Sequence, residues 1–286
     1  MEWERAKSYI LLFFVLLNIV LGGLLVIERR RYVVSPQRQQ AIVSIMRDHN
    51  ITLETQLPHR FTPMRLMYVS GFRYDVNELA QVFFADAIPT RIARPRGYVL
   101  SYGTGELIVS HGFISYDNLY GHGGEAQWMR GGFEPAQARQ LTDEFVRANW
   151  PNFRRDDEFI QPDWARITYR QVYRGYIVHS NFIEIIVTDS GIVQVEMQFA
   201  DVLEVDRGNQ PIAAPDEALL TFVQRVRYIA RVTPMVVTHM DLVYFQADGS
   251  TADDGLYRLE PFYRVFIYGN ERDPFLINAF TNEIIN

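Results

Sequence analysis

The chain has 286 residues, 48% hydrophobic and 22% charged, with a formal net charge of −6. That is ordinary globular usage, long enough to bury a sizeable core, and it excludes a disordered tail. Residues 32–286 hold 31 acids against 23 bases, which argues against a nucleic-acid surface, and the absence of cysteine removes disulfides, thiolate nucleophiles and cysteine-based zinc sites.

In chain order, residues 1–8 read as a short N-terminal tail. Tyr9 to Ile27, YILLFFVLLNIVLGGLLVI, is a run of 19 residues without a charge, which predicts an uncleaved transmembrane helix over 9–27. Glu28-Arg29-Arg30-Arg31 follows at once, where a cleaved signal peptide would carry small residues. Within the predicted span, Phe14, Asn18 and Gly22 share a face at four-residue spacing. Asn18 suits a hydrogen bond to a neighbouring helix, and Gly22 with Gly23 suits close backbone approach. The plain alternative is that Asn18 bonds to its own helix or to a second copy. The positive-inside count, Arg5 and Lys7 before the span against Arg29–Arg31 and Arg38 after it, favours a cytoplasmic C-terminal domain.

Ser35-Pro36 predicts an N-cap and first helical residue, with Ile42, Ile45, Met46 and His49 at helical spacing and an end near Asn50. Strand-like runs follow at 51–55 and 64–69. Asp75 with Glu78 predicts a capping box for a short helix through Val76, Leu79 and Phe83, and 97–118 reads as a small antiparallel meander. The glycine-rich GHGGEAQWMRGG at 121–132 marks the main subdivision, between an N-terminal α/β subdomain (32–130) and a C-terminal region (131–286). That second region reads as one unit written twice, about 134–200 and 214–286. Pro135 opens a helix followed by strand runs at 164–173 and 176–188 and the turn Thr188-Asp189-Ser190-Gly191. Pro215 opens another, followed by runs at 235–246 and 257–268 and by Thr281-Asn282-Glu283. The predicted fold is α+β: a transmembrane helix, then antiparallel sheets with helices on one face, including the duplicated helix-plus-sheet unit.

The first 23 residues, with an acidic residue and Trp3 at the tip, Arg5 and Lys7, Phe13-Phe14 and Leu17-Asn18 inside the apolar run, resemble the start of the YycI family. TDSGIV and AFTNEII are similar to the closing strand of PepSY-like domains, and length and element order resemble the soluble parts of YycI and YycH. The resemblance implies an accessory regulator in the plasma membrane, single-pass, with residues 1–8 as a cytoplasmic tail and the C-terminal domain extracytoplasmic. Its implied partners are a WalK/YycG-like sensor histidine kinase that controls cell-wall metabolism and a YycH-like protein, with Phe14, Asn18 and Gly22 as the transmembrane interface. A second class left open is an extracytoplasmic PepSY-like inhibitory, chaperone or binding module.

No catalytic, cofactor or metal residue is assigned. His122 sits in a GHGG phrase without a GxSxG nucleophile elbow, the remaining histidines are scattered without an HExxH pair, and Asp156-Asp157-Glu158 and Asp253-Asp254 lack EF-hand spacing and read as solvated loop acids. The tyrosines fall mostly in strands, where cross-strand packing explains them.

Overall fold

The computed structural model describes residues 3, 7, 11–22, 32–70, 74–110, 112–118, 132–198, 200–206, 208–251 and 256–285. The predicted subdivision at 121–132, with His122, lies almost wholly outside them, as do Asp253 and Asp254.

Residues 11–22 are helical (α1). Tyr9, Ile10 and residues 23–27 of the predicted span lie outside the described residues. Among those described, no helix is long and apolar enough to cross a membrane. The single-pass anchor, and the membrane localisation built on it, are therefore corrected.

Helix α2 (Pro36–Asp48) starts at Ser35, whose Oγ accepts from the Arg38 N–H at 3.3 Å, and buries Ile42 and Met46. Asn50, in the left-handed region at φ 60°, ends it and turns the chain into β1 (Ile51–Leu53). After β2 (Met67–Val69), the Asp75 carboxylate accepts from the Asn77 N–H at 2.8 Å and opens α3 (Val76–Phe84), which buries Leu79, Phe83 and Phe84. An antiparallel meander follows: β3 (Thr90–Arg94), β4 (Gly97–Tyr102), β5 (Gly105–Ser110) and β6 (Phe113–Asn118).

Next come α4 (Pro135–Asn149) and the antiparallel succession β7 (Phe153–Ile160), β8 (Trp164–Tyr173), β9 (Tyr176–Thr188) and β10 (Gly191–Gln198). Beyond β11 (Val202–Val205), α5 (Pro215–Ala230) leads β12 (Met235–Thr251), β13 (Tyr257–Ile267), β14 (Asn270–Asn278) and β15 (Ile284–Ile285), again paired in succession. At the head of α5, Glu217 accepts from the Ala214 N–H at 3.1 Å, while Asp216 takes two bonds from Arg38 at 2.6 and 2.9 Å and so ties α5 to α2.

Among the described residues, all fifteen strands join one sheet, whose main path runs β11-β2-β13-β12-β9-β10-β6-β5-β4-β3. The sheet is mixed: β1 lies parallel to β12, and so does the start of β9, with Val243 opposite Ile177. This corrects the separate antiparallel sheets expected from sequence. Both parallel pairs join segments far apart in the chain, which local alternation does not encode.

Two cores flank the β9/β12 seam. Helices α2 and α5 cover one, with Met46, Phe222, Val237, Tyr263 and Val265 at its centre, while α3 and α4 cover the other, with Phe83, Leu107, Tyr116, Ile167, Ile185 and Val195. Strand β9 serves both, giving Val178 to the first and Ile183, Ile185 and Val187 to the second. Between them the buried Asn181 donates to Gln171 Oε1 (2.6 Å) and the Ala200 carbonyl (2.8 Å) and accepts from the Ala200 N–H (3.2 Å).

Candidate functional site

Side chains alternate across a strand, so residues next to the core positions of β8, β9 and β13 point to the opposite face. Tyr263 and Val265 enter one core, which sends Arg264 and Phe266 the other way. Ile167 and Tyr169 enter the second, which sends Arg166, Thr168 and Arg170 the same way. Tyr169 fixes that orientation, its hydroxyl lying 2.7 Å from Asp143 Oδ1 and 2.8 Å from Thr142 Oγ1 on α4. With Asp156, His179, Phe182, Glu184, Asp273 and Pro274, these residues line a polar cleft of about 260 Å³ where the two lobes meet.

Arg264, only 2% exposed, is the hub. Its Nε donates to Asp241 Oδ1 (2.8 Å), and its Nη2 donates to Asp241 Oδ2 (2.5 Å) and Asp156 Oδ1 (2.9 Å). Its Nη1 donates to Asp156 Oδ2 (2.7 Å) and stands 3.2 Å from His179 Nδ1. All five donors of the guanidinium are thereby engaged, on groups from both lobes. Burial works against the charge of Arg264, but the bonds and field of Asp241 and Asp156 outweigh it and hold its proton more tightly than usual. Burial pushes the Asp241 carboxyl up, and the bonds from Arg264, with His239 beside it, prevail and bring it down to about 2. For His179, burial and then the neighbouring Arg170 and Arg264 charges lower the pKa to about 2. The ring is therefore neutral, with Nδ1 free to accept from Arg264.

Arg166 and Arg170 are placed differently. Arg170 Nη1 donates to the His179 carbonyl, while its Nε is buried without a hydrogen-bond acceptor, 3.5 Å from Asp156 Oδ2. Burial lowers its pKa to about 10, with Asp156 opposing and Arg264 adding to the effect. Arg166 Nε is likewise buried without an acceptor, 3.5 Å from Glu184 Oε2, and Glu184 also lies within 3.4 Å of the Thr168 hydroxyl. The apolar wall consists of Phe182, 5.4 Å from the Arg170 guanidinium, and Phe266, 5.0 Å from that of Arg264. One arginine is saturated by the protein and two are not. Among the described residues, no three His, Asp or Glu side chains are grouped to hold a metal ion.

The residues singled out from sequence lie elsewhere. Phe14 and Asn18 are exposed on α1, where Asn18 Nδ2 donates to the Phe14 carbonyl at 2.8 Å, and Gly22 has nothing within 4 Å of where a side chain would begin. That is the own-helix bond given as the plain alternative. Asp156 and Glu158, read as solvated loop acids, are in β7: Asp156 clamps Arg264, and Glu158 accepts from Arg139 at 2.8 Å on both oxygens. Sequence reading missed Arg166, Arg170, Asp241 and Arg264. The available signal was a charge in the midst of an apolar strand run, as in Phe262-Tyr263-Arg264-Val265-Phe266.

The fold and cleft define a two-lobed α/β module with a polar seam. No family model matches the chain, and no curated protein matches it, so membership of the YycI family is not established. Among solved structures, an uncharacterized protein from Eubacterium rectale is 10% identical with a TM-score of 0.55, over 82% of this chain and 90% of its own, which shows a shared fold. The Bacillus megaterium YpeB C-terminal domain is 8% identical with a TM-score of 0.42, over 76% of this chain and 97% of its own, too distant to carry an argument.

Proposed function

We propose that the chain is a non-catalytic binding module whose interlobe cleft receives a carboxylate or phosphate group of its ligand. The observation that carries this reading is the contrast within one cleft between Arg264, with every donor engaged, and Arg166 and Arg170, whose Nε groups are buried without an acceptor. Burying a guanidinium with unmade bonds is costly, and a bidentate anion is the partner its fork geometry fits best. Asp156 is engaged by Arg264, Glu184 lies beside Arg166 and Thr168, and His179 accepts from Arg264, so the arrangement is one of recognition.

Thermal denaturation of the wild type and of Arg170→Met with increasing inorganic phosphate or succinate tests the proposal. The wild type should gain Tm with ligand concentration, as binding to the folded state alone requires, and the variant should gain far less. Equal responses, or none in the wild type, would sink it.

Regulation of a WalK/YycG-like sensor histidine kinase together with a YycH-like protein is the narrower reading, supported by the N-terminal residues only. In that case the anionic group would belong to one of those partners and would be engaged by this α/β body. Capture of the kinase by the wild type, lost in Arg170→Met, is the outcome it requires.

A further inference from the structure

The sheet path ends at β3, which pairs only with β4 among the described residues. An end strand leaves alternate N–H and C=O groups unpaired along its open edge, a template for one more strand. All five residues of β3 are exposed. From Ala87 to Gly105 the chain carries Arg91, Arg94 and Arg96 and no acidic residue, within a protein of net charge −6. None of these arginines forms an ion pair among the described residues; Arg91 lies over the Tyr98 ring at 4.0 Å.

The face shared by Ile92 and Arg94 adds a second feature. Register places Ile92 opposite Val99 and Val99 opposite Ile108, an apolar row across three strands that stops at the open edge, with Ile92 48% and Ile108 37% exposed. The edge is therefore basic at Arg91 and Arg94 and apolar between them at Ile92. Such arginines also discourage edge-to-edge pairing between copies of the chain, so the charge that repels a second β3 selects an acidic strand in its place.

We infer that β3 is a docking edge for an extended acidic segment of a partner protein, added as one more strand with acids against Arg91 and Arg94 and a β-branched residue against Ile92. Main-chain bonds supply affinity in this mode and alternate side chains supply specificity. The surface is distinct from the interlobe cleft, so either can fail without the other.

The probe is the blocked hexapeptide Thr-Glu-Thr-Val-Glu-Thr, whose antiparallel alignment sets valine against Ile92, with a lysine-for-glutamate peptide as control. Binding and amide hydrogen exchange are measured on the full chain. The acidic peptide should slow exchange at alternate amides within 90–94, and the lysine peptide should not. The doubly substituted Arg91→Glu/Arg94→Glu chain should bind the acidic peptide about tenfold more weakly, since opposed like charges destabilise a cross-strand pair, and should prefer the lysine peptide. The reversal of preference guards against a variant that merely misfolds. Equal binding of both peptides, protection outside β3 or no binding would overturn the inference. It would also be overturned if β3 were protected only by phosphatidylglycerol vesicles, or by raising the protein's own concentration.

Discussion

Replacing Arg264 by methionine keeps much of the aliphatic stem and removes the charge that holds Asp156 and Asp241 together. The two carboxylates, whose side chains are 11% and 23% exposed, would then keep only weaker partners, Arg170 at 3.5 Å from Asp156 and His239 at 3.8 Å from Asp241. Breaking a buried ion pair from one side costs about 3–5 kcal/mol, and the partial exposure of Asp241 places the expected loss near ~3 kcal/mol. That is a large share of the ~5–15 kcal/mol typical of a whole protein. Urea denaturation at pH 7, followed by circular dichroism, measures it as a fall in midpoint at unchanged slope. A second arm isolates the electrostatic part. Arg264→Met combined with Asp241→Asn leaves one carboxylate at the hub, Asp156, still beside Arg170 at 3.5 Å, and should recover most of the loss. The penalty of the single variant should also shrink in acid, as the stranded carboxylates become protonated. A loss under about 1 kcal/mol, or a double variant no better than the single, would refute the clamp, since either means the seam is held by packing alone.

Acid should weaken the wild type in two stages. His179 is depressed from 6.5 to about 2, so below pH 6.5 the unfolded chain takes up a proton that the folded one refuses, and stability falls by up to about 1.4 kcal/mol per pH unit. Asp241, depressed to about 2, adds stability that is present above pH 3.8 and lost as pH falls toward 2. Denaturation midpoints from pH 7 to 4.5 should therefore slope downward, and His179→Gln, which keeps an acceptor for Arg264, should flatten that slope; an unchanged slope would contradict the assignment. Asn181→Leu should cost about 1–3 kcal/mol by urea denaturation, because the Ala200 N–H and carbonyl lose their partner at the seam. Gly97→Ala should cost about 1–3 kcal/mol or more by the same measurement, as a Cβ there would come within 1.8 Å of the Val109 carbonyl oxygen; a stable variant with native spectra would contradict the β4–β5 register.

Local elements were legible where a single residue type dictates the backbone. Ser35-Pro36, Asp75, Pro135 and Pro215 each mark a helix start, and the runs 164–173 and 176–188 are β8 and β9 as bounded from alternation. Strand β7 escaped notice because Asp156-Asp157-Glu158 read as loop acids, although cross-strand and helix-borne partners neutralise several charges of this strand. The cleft was not legible, since Asp156, His179, Asp241 and Arg264 are far apart in sequence and meet only through the parallel β9/β12 seam. The apolar run at 9–27 satisfied a composition rule for a membrane span, whereas no helix among the described residues is long and apolar enough to cross a membrane.

The cleft reading is tested most directly by nuclear magnetic resonance of the arginine Nε–Hε groups during titration with inorganic phosphate and with succinate at pH 7. The account predicts that the Arg166 and Arg170 signals shift with saturation while the Arg264 signal, its donors already engaged, stays in place. Movement of Arg264 with Arg166 and Arg170 unmoved, or no shift at any of the three, would contradict it.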